Sequence, residues 1–295
     1  MKAAQFDYQS AGSAEQALGL MQDAKALGGG QSLGPMLNLR LVRPGKLVDV
    51  SALAEARRCE MTAQGLRIGG AMTHAEIEDG ALDALLADSP ALAAFLRHVA
   101  GGIAYRAVRN KGTLAGSLAH ADPAADWVLA MNALDAQLDL VSAKGKRLLP
   151  MSQFMSGAFS TALAEDELLL AVIVPRRSAA MRWGYVKFCR KTGEFAEASA
   201  AAVFDPQSGS ARLLIGALDG APAALPALAS AVASQGAAAI NQDACLAAVN
   251  AVATGKDEVG NWQLAVAVRR CLQQLLGVSV SGTANSGATD SGAKQ

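Results

Sequence analysis

Cysteine and histidine are scarce in this chain, and neither clusters. Four cysteines, Cys59, Cys189, Cys245 and Cys271, are spread over 295 residues. No two have the CxxC-type spacing of a metal or cluster site. Reduced, mostly buried thiols are the expected state, although spacing alone leaves disulfides open. The three histidines, His74, His98 and His120, are equally dispersed, so no zinc site is expected. Net charge is also missing: the formal value is zero and the isoelectric point is near 6.8. No basic stripe marks a nucleic-acid surface. Long apolar runs are absent too. The longest, LLLAVIV at Leu168–Val174, is far short of the ~20 residues a membrane span needs. The opening MKAAQFDYQS has no apolar core, so no secretory leader is expected. A soluble, cytoplasmic protein without a membrane span is the expectation.

What the chain has in quantity is small apolar residues. Hydrophobic types make up 52% of it, enough for a sizeable core. Its length suits two domains of roughly 100–200 residues each. The segment from Ser13 predicts a helix with Ser13 as N-cap and Ala17, Leu20 and Met21 on one face. AKAL then reads as a short strand, Pro35 suits the first turn of a following helix, and Lys46–Val50 reads as a strand. LRIGGAMTHAEIE gives strand, turn and helix, with Thr73 and Glu76 placed for a capping box. Ser89 and Pro90 open the next helix. AADWVLAMNAL reads as helical, DAQLDLVSA as a strand, and ELLLAVIVP as a buried strand ending at Pro175. Residues up to 176 therefore read as mixed α and β. Beyond them, MRWGYVKFCRK, EASAAAVFD and ARLLIGAL read as successive antiparallel strands, followed by two or three alanine-rich helices up to Gly277. Residues 279–295 are small and polar and are expected to be a disordered tail.

The densest run of glycine is LGGGQSLGPMLNLRL, Leu27–Leu41. Glycine costs more chain entropy to order than any other residue, so a run of it needs a reason. One reason is a plain turn. The other is a nest of main-chain N–H groups aimed at an anion, phosphate being the usual one. The run matches neither GxGxxG nor GxxxxGK[ST], so neither the Rossmann nor the P-loop pattern applies. A second segment, VRNKGTLAGSLAHADPAADW, places a turn at Gly112 and small residues through Ser117 ahead of a helix. Thr113 and Ser117 supply hydroxyls and Asp126 a carboxylate. Two such loops suit a long ligand with a pyrophosphate and a sugar-like chain.

These two segments, together with YVKFCRKTGEFA at Tyr185–Ala196, closely resemble the FAD-binding medium subunit of molybdenum hydroxylases, the carbon-monoxide dehydrogenase and xanthine dehydrogenase family. The resemblance covers residues 1–280 and rests on the three motifs in this order. It implies an α+β fold: a two-lobed FAD-binding domain of the PCMH type over 1–176, a smaller C-terminal domain of antiparallel sheet plus helices over 177–278, and FAD between them. Carried over position by position, it implies that Gly28, Gly29, Gly30, Gln31, Ser32, Leu33 and Gly34 wrap the pyrophosphate. At Gly29 a positive φ and a close approach to phosphate are expected. Thr113, Ala115, Gly116 and Ser117 form the second loop. Asp126 accepts from the polyol or sugar hydroxyls, Ile103 and Leu169 give apolar contact, Lys187 reaches the flavin, and Phe195 approaches its ring.

Each assignment has a plainer counterpart. Lys187 reads equally as a solvated strand residue, Phe195 as core, and Asp126 as a charge that favours the first turn of its helix. His120 lacks a nucleophile beside it and reads as structural. Ala115 stands where the family has a paired glycine and fits only if its φ is negative. Gly28 stands where alanine is common. The four clustered cysteines that some relatives carry are missing, so FAD is the only cofactor expected on this chain.

The resemblance further implies an electron-transfer role with no acid, base or nucleophile of its own. The molybdenum cofactor belongs on a large partner subunit and two [2Fe-2S] clusters on a small one, in a dimer of heterotrimers. A self-contained FAD-dependent oxidase or reductase is the alternative function. A scaffold with a decayed flavin site is another, motivated by Ala115.

Overall fold

The computed structural model describes residues 2–253 and 255–278. The expected tail, residues 279–295, lies outside them. The fold is α+β with three main sheets. Two lie within residues 1–176 and one within 177–278.

The first lobe alternates strand and helix: β1 (Asp7–Ser10), α1 (Ala14–Leu20), β2 (Ala24–Leu27), α2 (Leu33–Asn38), β3 (Lys46–Asp49) and α3 (Ala54–Arg57). Its three strands are parallel in the order β1-β3-β2. Ser13 caps α1 as expected, its side chain accepting from the Gln16 N–H. The glycine run leaves the end of β2 and enters α2, with Pro35 in the first turn.

The second lobe adds β4 (Glu60–Met61), β5 (Gly65–Gly69), α4 (His74–Glu78), α5 (Pro90–Gly101), α6 (Arg106–Arg109), α7 (Leu114–His120), α8 (Asp126–Ala133), β6 (Gln137–Ser142), β7 (Gly145–Pro150), β8 (Met155–Gly157), β9 (Ser160–Thr161) and β10 (Glu167–Pro175). The sheet order is β4-β5-β10-β6-β7, antiparallel throughout. The Thr73–Glu76 capping box at α4 is complete. β10 is the shared wall of the two lobes. Leu168 and Leu170 join the first-lobe core, while Leu169, Val172 and Val174 join the second. A bulge between Leu169 and Ala171 shifts the register there.

The C-terminal region contains β11 (Arg182–Phe188), β12 (Ala198–Asp205), β13 (Ser210–Gly216) and β14 (Ala223–Ala224), an antiparallel sheet in sequence order. Helices α9 (Pro226–Gln235), α10 (Gln242–Asn250) and α11 (Glu258–Leu276) follow. All eight residues of β12 are buried, because both faces of the sheet are covered. Ala201 and Val203 face the second lobe; Ala198, Ala200, Ala202 and Phe204 face the helices.

Helix α8 joins the two halves, and every one of its residues is buried. Asp126 at its N-terminus meets Lys187 of β11. At its other end the Arg212 guanidinium donates to the Asn132 carbonyl at 3.0 Å, and the Arg177 guanidinium to the Leu134 carbonyl at 2.5 Å. An acid at the N-terminus and cations at the C-terminus both complement the helix dipole. No helix among the described residues is long and apolar enough to cross a membrane.

Candidate functional site

The glycine run first shows itself as a run of free donors. Among the described residues, none of the main-chain N–H groups of Gly28, Gly29, Gly30, Gln31, Ser32 and Leu33 donates to a protein acceptor. Ser32 precedes α2 but its hydroxyl makes no capping bond, and the Gln31 amide turns back onto the Gly29 carbonyl at 2.9 Å. The N–H of Gly34 is used within the turn, on the Gly30 carbonyl. Positive φ occurs at Gly30, +69°, and not at Gly29 as the sequence reading expected.

Gly29 is bare for a different reason. A Cβ there would lie 1.7 Å from the Lys111 carbonyl oxygen and 2.8 Å from the Gly112 Cα. A Cβ on Gly28 would lie 2.8 Å from the Thr113 hydroxyl oxygen. These glycines let the first lobe's loop press against the second lobe's main chain, which presents the free N–H groups at the seam. Asp49, Ser51, Arg57, Glu76 and Lys111 line a neighbouring polar cavity of about 580 Å³.

The second loop uses its backbone differently. In the first turn of α7, Leu114 donates to the Met72 carbonyl, Ala115 to the Gly70 carbonyl, and Gly116 to the Thr113 side chain, at 2.9–3.2 Å. This turn therefore supports the nest rather than extending it. Only its small surface and the half-buried Ser117 face outward. Ala115 sits in the helix with ordinary φ, so alanine fits. Leu169 is adjacent: a Cβ on Gly70 would meet the Ala115 Cβ at 2.7 Å and the Leu169 carbonyl oxygen at 2.9 Å.

A second cluster forms where α5, α8 and β11 meet. Asp126 is buried, and its carboxylate accepts from the Tyr185 hydroxyl at 2.7 Å and from Lys187 Nζ at 3.0 Å. Lys187 also donates to the Gly102 carbonyl at 2.7 Å, next to Ile103. Phe195 is exposed on the β11–β12 loop rather than in a core. Gly193 of that loop has φ +90°, and a Cβ on it would lie 3.1 Å from the Ala104 carbonyl oxygen and the Tyr105 ring. Residues 103–113 link the clusters, with Ile103 at one end and Thr113 at the other. Lys187 is thus a paired residue at a junction, not a solvated strand position. Each Asp126 oxygen already accepts one hydrogen bond within the protein, from Tyr185 and from Lys187.

Three supporting residues escaped the sequence reading. Gly70 gives Ala115 room, and its only signal was the Gly69–Gly70 pair after a strand. Tyr185 shares a strand face with Lys187 by period-two spacing. His74 is buried under Gly112, where a Cβ would lie 2.7 Å from its Nε2. The Trp127 indole donates to His74 Nδ1 at 3.0 Å. Burial and the nearby Arg109 lower its pKa from 6.5 to about 4, so it is neutral at pH 7.

Residues 4–177 match the sequence model of a family described as the FAD binding domain in molybdopterin dehydrogenase, more than half of the chain. The chain belongs to this family. It is 34% identical over 222 residues to the nicotine 6-hydroxylase medium subunit of Paenarthrobacter nicotinovorans, covering 73% of this chain and 76% of that one. It is 35% identical to the carbon monoxide dehydrogenase medium chain of Hydrogenophaga pseudoflava, covering 67% and 68%. Among solved structures, reconstituted CO dehydrogenase from Oligotropha carboxidovorans superposes with a TM-score of 0.84 at 26% identity, covering 95% of this chain and all of that one. Quinoline 2-oxidoreductase from Pseudomonas putida 86 gives 0.81 at 28%. The relatives are subunits of oxidoreductases. Family membership assigns FAD to this chain, and the run of free N–H groups fits a pyrophosphate.

Proposed function

We propose that this chain is the FAD-carrying electron-transfer subunit of a molybdenum hydroxylase complex. The observation that carries the reading is the stretch of unpaired donors from Gly28 to Leu33, held at the seam of two lobes in a member of this family. Those N–H groups, with the Ser32 hydroxyl, bind the pyrophosphate. The bare backbones of Gly28 and Gly29 let the nest close on Lys111 and Thr113. The α7 turn, with Ala115, Gly116, Ser117 and the neighbouring Leu169, shapes one wall of the cofactor groove. Asp126, Lys187, Ile103 and Phe195 form its far end. The FAD-binding unit is residues 1–176 and the C-terminal unit 177–278.

FAD supplies the redox chemistry, accepting electrons singly and passing them on in pairs. The protein's share is to bind, orient and set the charge around the cofactor. No acid, base or nucleophile is assigned. A large subunit with the molybdenum cofactor and a small subunit with [2Fe-2S] clusters are the partners, assembled as a dimer of heterotrimers in the cytoplasm. The small subunit delivers electrons to this chain, and a terminal acceptor removes them.

The test is to purify the chain alone and with co-expressed partner subunits. Alone and loaded with FAD, it should oxidise no organic substrate of these enzymes, while the complex reduces an artificial dye when substrate is added. Turnover by the isolated chain at the rate of the complex would replace this reading with a self-contained flavoenzyme.

A further inference from the structure

The junction cluster holds one residue that no part of the function above uses. Tyr185 is buried, and its ring is gripped edge-on by Phe95 and His98, with centroids 6.2 and 6.0 Å away. That grip aims the phenol at Asp126, where it donates at 2.7 Å. Lys187, two residues along the same strand, meets both oxygens of that carboxylate at 2.9 and 3.0 Å and the Gly102 carbonyl at 2.7 Å. An ammonium has three N–H donors; two of them are hydrogen-bonded here, to Asp126 Oδ2 and to the Gly102 carbonyl. The ion pair with Asp126 thus holds the Lys187 charge in a fixed place.

A buried ion pair adds little net stability over apolar packing, so its value lies in where it fixes the charge. We propose that Tyr185 is a positioning residue. Its hydroxyl fixes and partly neutralises the Asp126 carboxylate, and so sets how much of the Lys187 positive charge the flavin end of the site experiences. The inference rests on the FAD reading above. Burial and Asp126 push the Tyr185 pKa well above 10, which keeps the phenol a neutral donor. Without that donor the carboxylate presents more of its negative charge. Reduction adds negative charge to the flavin, so it becomes harder.

The experiment compares full-length, FAD-loaded wild type, Tyr185→Phe and Lys187→Gln by flavin content and by redox equilibration against a reference dye. Phenylalanine keeps the ring packing and removes only the hydroxyl. Tyr185→Phe should keep its flavin and shift the equilibrium toward oxidised flavin by about threefold, and Lys187→Gln by about tenfold, the scale of one nearby charge or charged hydrogen bond. In an Asp126→Asn background the Tyr185→Phe shift should vanish, because the phenol acts through that carboxylate. An unchanged equilibrium in Tyr185→Phe, or the same shift in the Asp126→Asn background, would overturn the inference while leaving FAD binding intact. Loss of flavin from Tyr185→Phe would overturn it too, since the phenol would then hold the cofactor. A wild-type chain that takes up no FAD would end both the reading and the inference.

Discussion

Among the described residues, Gly28–Leu33 keeps six N–H groups free of protein partners, whereas the first turn of α7, in contact with it, spends its own on Met72, Gly70 and Thr113. In sequence the two segments are alike: small residues, glycine and a hydroxyl before a helix. The difference is decided by what lies behind each. The α7 turn sits over the β5–α4 connection, whose carbonyls point at it. The first loop leaves the end of β2 and packs against the Lys111 carbonyl at Gly29, yet none of its N–H groups bonds to it. Buried main-chain donors must be paired, and an exposed run of unpaired ones is a ready anion site. Counting donors separates a binding loop from a supporting one where glycine content does not.

The comparison breaks most severely at Gly29. Gly29→Val should force the loops apart, because its Cβ has no space against the Lys111 carbonyl. FAD affinity should fall by about tenfold to a hundredfold, the scale of an overpacked contact. Titration of the variant with FAD checks this.

Acid should strain the same seam from the other side. His74 has a folded pKa of about 4 against 6.5, so protons bind the unfolded chain more readily in that window. Its contribution is complete above pH 6.5 and is lost as pH falls toward 4, about 3 kcal/mol in all. Urea unfolding from pH 7 to 4 should show a shallower pH dependence in His74→Gln than in wild type.

A smaller change should follow from Thr113→Val, which removes the α7 cap and keeps the side-chain shape. Thermal unfolding should report a loss of about 1 kcal/mol. FAD affinity should change less than in Gly29→Val. The smallest effect is expected for Ala115→Gly. It should cost about 0.5–1 kcal/mol of helix stability, with FAD affinity unchanged by titration.

Much of this was legible from local pattern. The Ser13 cap, the Thr73–Glu76 box, the apolar run Leu168–Val174 of β10 and the small-residue β12 all announced their elements, because each is set by neighbours in sequence. The short strands β7, β8 and β9 carried no alternation strong enough to read. Within the site, the glycine run was visible but its geometry was not. The reason Gly29 must be bare is a carbonyl more than eighty residues away, and no local rule gives that. Asp126 and Lys187 were both named, yet their pairing and the phenol of Tyr185 between Phe95 and Asp126 depend on how α8 meets β11.

The central claim is that the first loop, and not the α7 turn, receives the pyrophosphate. Amide proton and nitrogen NMR shifts of the full chain, followed as FAD is added, test it directly. The largest changes should fall on Gly28–Leu33, while Leu114, Ala115 and Gly116 move little because their donors are already taken. Large changes on those three with Gly28–Leu33 silent would contradict the account.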